Sequence, residues 1–109
     1  METTQVSVVR IYLRESEHKH AALLRRLQEW EKVRGVTVFR AVSGFGEHGA
    51  GDAKLLDLAL DLPLVIEFFD TPEKVEKILQ HIAAEVRPWH LIRWQAEVLA
   101  SNEPEQGSE

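Results

Sequence analysis

The stretch LPLVIEFFDTPEKVEKILQHI, Leu62 to Ile82, decides the fold. Its first part is almost unbroken apolar sequence of strand length, as a strand in the middle of a sheet requires. Pro63 stands near its start, where a missing N–H is tolerated. Thr71-Pro72-Glu73 then opens a helix with a capping hydroxyl, a proline at the first helical position and an early acid. Val75, Ile78, Leu79 and Ile82 recur at three- and four-residue steps and give that helix one buried stripe. Pro88 ends it.

Working outward, the N-terminal side repeats the same unit in a second version. Val6 to Leu13 alternate as a strand, with Val9, Ile11 and Leu13 on one face. Ser16 is the expected N-cap of a helix that runs to about Arg34, with Leu23, Leu24, Leu27, Trp30 and Val33 as its apolar stripe. Gly35 is its expected stop, and Val36 to Val42 form a second strand rich in β-branched residues. On the C-terminal side, Trp89 to Leu99 alternate as a fourth strand. The order β-α-β-β-α-β predicts an α+β, ferredoxin-like sandwich: a four-stranded antiparallel sheet with two helices on one face. Residues 1–100 make one domain, and 101–109 are expected to be an acidic, disordered tail.

The chain has 109 residues, room for one domain with a modest core, and its 44% hydrophobic and 28% charged residues are ordinary for a globular protein. With no cysteine, disulfides, zinc–thiolate sites and thiol nucleophiles are excluded. Of the formal net charge of −5, Glu103, Glu105 and Glu109 in the tail supply three units, leaving −2 for the body. That balance gives no bulk attraction to a nucleic-acid backbone, and no nucleic-acid role is expected. The opening METTQVSVVR lacks the apolar core of a secretory signal, and no apolar run approaches a membrane span. Cytoplasmic residence is the resulting expectation.

Alternation assigns Val9, Ile11, Leu13, Phe39, Leu64, Ile66, Phe68, Ile92, Trp94 and Val98 to the helix side of the sheet. The open side is expected to carry Val6, Val8, Tyr12, Val36, Val38, Val42, Val65, Phe69, Leu91 and Leu99. Arg10, Arg40, Arg93, Glu67 and Glu97 lie among them. A face this apolar calls for cover by further copies of the chain, and charges of both signs suit a specific interface. A solvated face with chance hydrophobics is the plain alternative.

Between the second and third strands lie about twenty residues, where a hairpin needs about two to five, and connections of such length are usually functional or mobile. Four glycines fall between Gly44 and Gly51, giving a backbone able to approach a ligand closely. Loop 43–61 therefore reads as a binding or docking element.

The runs VTVFRAVSGFGEHG (Val36 to Gly49), AKLLDLALDLPLVIEFFD (Ala53 to Asp70) and VRIYLRES (Val9 to Ser16) resemble the PII-like family DUF190, over roughly Val6 to Leu99. The G-F-G-x-H element after the V-T-V-x-R strand is the most specific part of the likeness. The resemblance implies a trimer like that of the nitrogen-regulatory PII and CutA proteins, with the long loop as a partner-contacting arm. PII proteins hold adenine nucleotides between subunits, partly through a glycine- and lysine-rich loop before the last strand. Here that position reads Glu85-Val86-Arg87-Pro88-Trp89-His90, without glycine, so a phosphate cradle of backbone N–H groups is absent or rebuilt.

The ligand-binding residues expected on these grounds are Arg40, Gly44, Phe45, Gly46, His48, Arg87 and Trp89. Arginines suit an anionic effector, an adenine nucleotide being one candidate. Trp89 could stack a ring, whereas Trp30 and Trp94 fall on positions expected to face the core. His48 could contact a ligand or simply face solvent. His18 and His20 point in different directions on a helix, His81 and His90 read as surface or packing residues, and no HxH or HExxH spacing appears, so no metal is expected. Glu15 and Glu17 read as favourable charges at the first helix start. No catalytic residue is expected.

Three functions compete. The leading one is a trimeric PII-like regulator that binds a small anionic effector in clefts between subunits. Its loop 43–61 would contact a partner protein, a membrane transporter being one candidate. The second is a small dimeric α+β-barrel enzyme of the cofactor-free monooxygenase type, which shares the element order but needs polar groups under the helices. The third is a ligand-free adapter.

Overall fold

The structure, a computed structural model, describes residues 1–41 and 63–102. Strand β1 (Glu2–Arg14) leads through a 3-10 turn (Glu15–Glu17) to helix α1 (His20–Arg25), which continues as a π-helical turn (Arg26–Trp30). Then follow β2 (Gly35–Arg40), β3 (Pro63–Asp70), α2 (Pro72–Ile82), a second 3-10 turn (Ala83–Glu85) and β4 (Leu91–Ser101). The strands form one antiparallel sheet in the order β2-β3-β1-β4. The predicted ferredoxin-like architecture is the observed one.

The core is built where β1 and β3 lie side by side under the helices. Register pairs Val9 with Phe68, Ile11 with Ile66 and Leu13 with Leu64. All six are buried, against Leu23 and Leu27 of the first helix and Val75, Ile78 and Ile82 of α2. Helix α2 starts as its sequence dictates. The Thr71 hydroxyl accepts from the Lys74 N–H at 3.3 Å, and Pro72 takes the first helical position. The helix gives way to the second 3-10 turn after Ile82, short of Pro88.

The first helix departs from expectation. No side chain caps it: Ser16 lies in the 3-10 turn, and His18 ends that turn in the left-handed conformation (φ 57°). The π-helical turn, closed by Glu31 N–H donating to the Arg26 carbonyl at 2.8 Å, adds a residue to the helical repeat. It carries Trp30 out of the predicted stripe, so that the indole is 78% exposed. Gly35 is the first residue of β2 rather than a helix stop. A Cβ there would stand 2.8 Å from the Phe69 ring, which packs directly over the glycine.

Residues of β2 and β4 face the opposite way from their assignment by alternation. Register places Phe39, Ile92, Trp94 and Val98 on the open side, opposite Val65, Arg10, Val8 and Thr4. It places Val36, Val38, Leu91, Leu99, Arg40, Arg93 and Glu97 on the helix side. Val36 and Leu91 pack against the core, and Arg93 reaches Glu76 of α2 at 2.8 Å. The assignments within β1 and β3 hold. Val42 lies outside the described residues.

One buried carboxylate joins the two halves at the end of β3. Asp70 accepts from the N–H groups of Thr71 (2.8 Å) and Arg34 (3.1 Å), with the Lys74 ammonium 3.2 Å away. It thereby fastens the start of α2 to the approach of β2.

Candidate functional site

At the other end of the sheet, β1 and β2 finish and β3 and β4 begin. The 3-10 turn that follows β1 presents Glu15 and Glu17. Arg40, the last residue of β2, donates through its guanidinium to Glu15. Arg87, in the connection before β4, lies 3.4 Å from Glu17. Since β2 and β4 are the two edges of the sheet, arginines from opposite edges meet on one short turn. The turn is itself anchored: the Arg14 N–H donates to the Glu17 carboxylate at 3.3 Å, and His18 N–H donates to the Glu15 carbonyl at 3.1 Å.

The backbone holds Arg87 and its neighbours against β1. His90 N–H donates to the Arg87 carbonyl at 3.1 Å, and Tyr12 N–H donates to the His90 carbonyl at 2.8 Å. Inside that bend, Trp89 adopts the left-handed conformation (φ 71°), rare for a bulky residue and held here by its flanking bonds. Its side chain is 91% exposed. Hydrogen bonding to Glu15 raises the Arg40 pKa above its already high ordinary value, so this guanidinium stays charged throughout the accessible range.

Of the residues expected to bind a ligand, Arg40, Arg87 and Trp89 are thus gathered at one end of the sheet. Gly44, Phe45, Gly46 and His48, with the rest of loop 43–61, lie outside the described residues. The chain leaves the described part and returns at this same end, where Ala41 N–H donates to the Pro63 carbonyl at 2.9 Å. Sequence alone gives Glu15 and Glu17 the role of favourable charges at a helix start. Their part as arginine partners depends on strand order, which local sequence does not reveal.

A second feature occupies the open face. Arg10 donates through Nε to Glu67 at 2.6 Å, and its guanidinium carbon lies 5.7 Å from the centre of the Phe39 ring and 5.6 Å from that of Trp94. Glu67, and after it Tyr12, raise the Arg10 pKa. Tyr12, Phe39, Ile92 and Trp94 all remain exposed on or around this pair. Trp94, expected in the core, is therefore a surface residue.

Among the described residues, no cluster of three or more His, Cys, Asp or Glu could hold a metal ion, and no helix is long and apolar enough to cross a membrane.

The sheet order and the helices on one face define a ferredoxin-like α+β fold. Its backbone matches that of CPII, a nitrogen regulatory PII-like protein from Thiomonas intermedia K12, in a structure with ADP and bicarbonate bound. The TM-score is 0.62 at 21% identity, covering 89% of this chain and 91% of that one. A Thermus thermophilus protein named as PII-like signaling matches with a TM-score of 0.59 at 19% identity, covering 90% and 91%. The sequence model of the family DUF190, described as "Uncharacterized ACR", matches residues 6–98, and the chain belongs to that family. A UPF0166 protein of Aquifex aeolicus is 33% identical over 88 residues, 75% of this chain and 83% of the relative. Another, of Methanocaldococcus jannaschii, is 27% identical over 79 residues, 69% and 73% of the two chains.

Proposed function

We propose that this protein is a PII-like regulator that binds a small anionic effector, an adenine nucleotide first among candidates, at the sheet end bearing Arg40, Arg87 and Trp89. The observation that carries this reading is the convergence of two guanidinium groups from opposite sheet edges on the turn Glu15–Glu17. A phosphate oxygen can take the place of a carboxylate oxygen on a guanidinium with the same geometry. An exposed indole beside Arg87 offers a flat face for a base. The solved structures of CPII with ADP and AMP bound support the choice of nucleotide.

The open face supports assembly. Four large exposed apolar side chains around a charged pair favour cover by further copies of the chain, and the likeness to PII proteins makes a trimer the expected form. Clefts between copies would then border the sheet end, and loop 43–61 would contact a partner protein, a membrane transporter being one candidate. Among the described residues, a regulatory rather than enzymatic role is supported by Ser7 and Asp70, the polar residues buried under the helices. Ser7 accepts a hydrogen bond from Gln95 at 3.0 Å and Asp70 from two backbone N–H groups, so both are engaged in structure.

Isothermal titration calorimetry with ATP, ADP, AMP and cyclic nucleotides tests the reading. Saturable binding of at least one, weakened by Arg87→Ala, supports it. Absence of heat for all of them removes the nucleotide. A stable monomer in light scattering removes the cleft.

A further inference from the structure

A hollow of about 350 Å³ opens on the helix side of the sheet, between the end of β1, the start of α1 and the turn after α2. This is the lower end of the range of about 300–1,000 Å³ found for small-molecule sites. Leu13 and Leu23, both buried, form its floor, and Ala22 and Ala84 line its sides. Any larger residue at either alanine would project into the space. His18, Lys19 and Glu85 complete the lining.

The polar part of this lining is unbalanced. Glu85 lies 3.8 Å from the Arg26 guanidinium and so already has a cation beside it. Lys19 forms no ion pair among the described residues. The left-handed backbone of His18 (φ 57°) turns the chain so that His18 and Lys19 both reach the same opening. An apolar floor with the ammonium of an exposed lysine at its rim suits a short fatty or branched-chain carboxylate: carbon chain inward, carboxylate on the cation.

We propose that this hollow is a binding site for a short apolar monocarboxylate, with its hydrocarbon against Leu13 and Leu23 and its carboxylate on Lys19. The site is distinct from the arginine-bearing sheet end and does not depend on the nucleotide reading. The two are nevertheless neighbours through one stretch of chain: Leu13 and His18 line the hollow, while Glu15 and Glu17 between them hold Arg40 and Arg87.

The test uses isocaproate as probe, with acetate (charge without hydrocarbon) and isoamyl alcohol (hydrocarbon without charge) as controls, followed by protein NMR shifts. A ligand this small is expected to bind with about millimolar affinity. Isocaproate should shift the methyl resonances of Leu13 and Leu23 saturably, and each control should bind about tenfold more weakly. Lys19→Gln should reduce isocaproate affinity to the level of the alcohol, and Ala84→Leu or Ala22→Leu should abolish binding. The proposal is overturned if isocaproate binds no better than acetate, if its shifts map elsewhere, or if binding survives both leucine variants. Shift mapping on the unaltered protein decides the question even if a leucine variant fails to fold.

Discussion

Arg10 and Glu67 stand directly opposite one another across the β1–β3 register and join side chains at 2.6 Å on the open face of the sheet. With Phe39 from β2 and Trp94 from β4 on either side of the guanidinium, this cluster takes one residue from every strand. A charged pair flanked by rings in the middle of an apolar face is suited to fix how two such faces meet, because a misaligned partner would strand the charges.

If this face is the contact between copies, Arg10→Ala should lower the assembly's stability, giving a lighter species on dilution in sedimentation velocity. Arg10→Glu should be worse, since it sets two carboxylates opposite each other. The exchanged pair, Arg10→Glu with Glu67→Arg, should recover part of the loss. Unchanged assembly of Arg10→Ala would remove this pair from the interface.

Nucleotide affinity should respond to Arg40→Ala, Arg87→Ala and Trp89→Ala, each by about tenfold in calorimetry with ADP. The ligand-free melting temperature should hardly move for Trp89→Ala, whose residue is 91% exposed, and should fall only modestly for the two arginines, which are about half exposed. A large fall in melting temperature without change in affinity would assign these residues to structure instead.

Gly35→Ala should destabilise the fold by about 1–3 kcal/mol, since the new methyl would meet the Phe69 ring at 2.8 Å. Combining it with Phe69→Leu should cost less than the sum of the two single changes. Urea unfolding of the four species measures this coupling.

Asp70→Ala should cost about 3 kcal/mol in the same experiment, as it leaves the Thr71 and Arg34 N–H groups without their acceptor. Asp70→Asn keeps one acceptor oxygen and should cost less. Removing the half-exposed Lys74 ammonium should matter least of the three.

The element order was legible because β1, β3 and α2 carry strong and mutually consistent signals. Val9, Ile11 and Leu13 alternate cleanly, β3 is apolar throughout, and Thr71-Pro72 marks a helix start. The facing of β2 and β4 was not legible, and the reason is physical. Both are edge strands with apolar residues on each face, so alternation alone has no asymmetry to read. Their facing is settled by register against β3 and β1, where a slip of one residue inverts every side chain. Phe39 and Trp94 were misplaced together for that reason. Trp30 was misplaced because the π-helical turn breaks the three-to-four-residue repeat on which the stripe was counted. For the candidate site, Arg40, Arg87 and Trp89 could be named from their residue types and from the family likeness. The turn that unites the arginines could not, because Glu15 and Glu17 resemble ordinary helix-start acids until the sheet order brings Arg40 and Arg87 to them.

The hydrogen bond from Ala41 to the Pro63 carbonyl closes the sheet below residues 42–62. The two points where that span is attached are therefore already held together by the ladder of β2 and β3, whatever sequence is strung between them. Changing the number of residues between those two points alters the entropy of closing the chain only slowly.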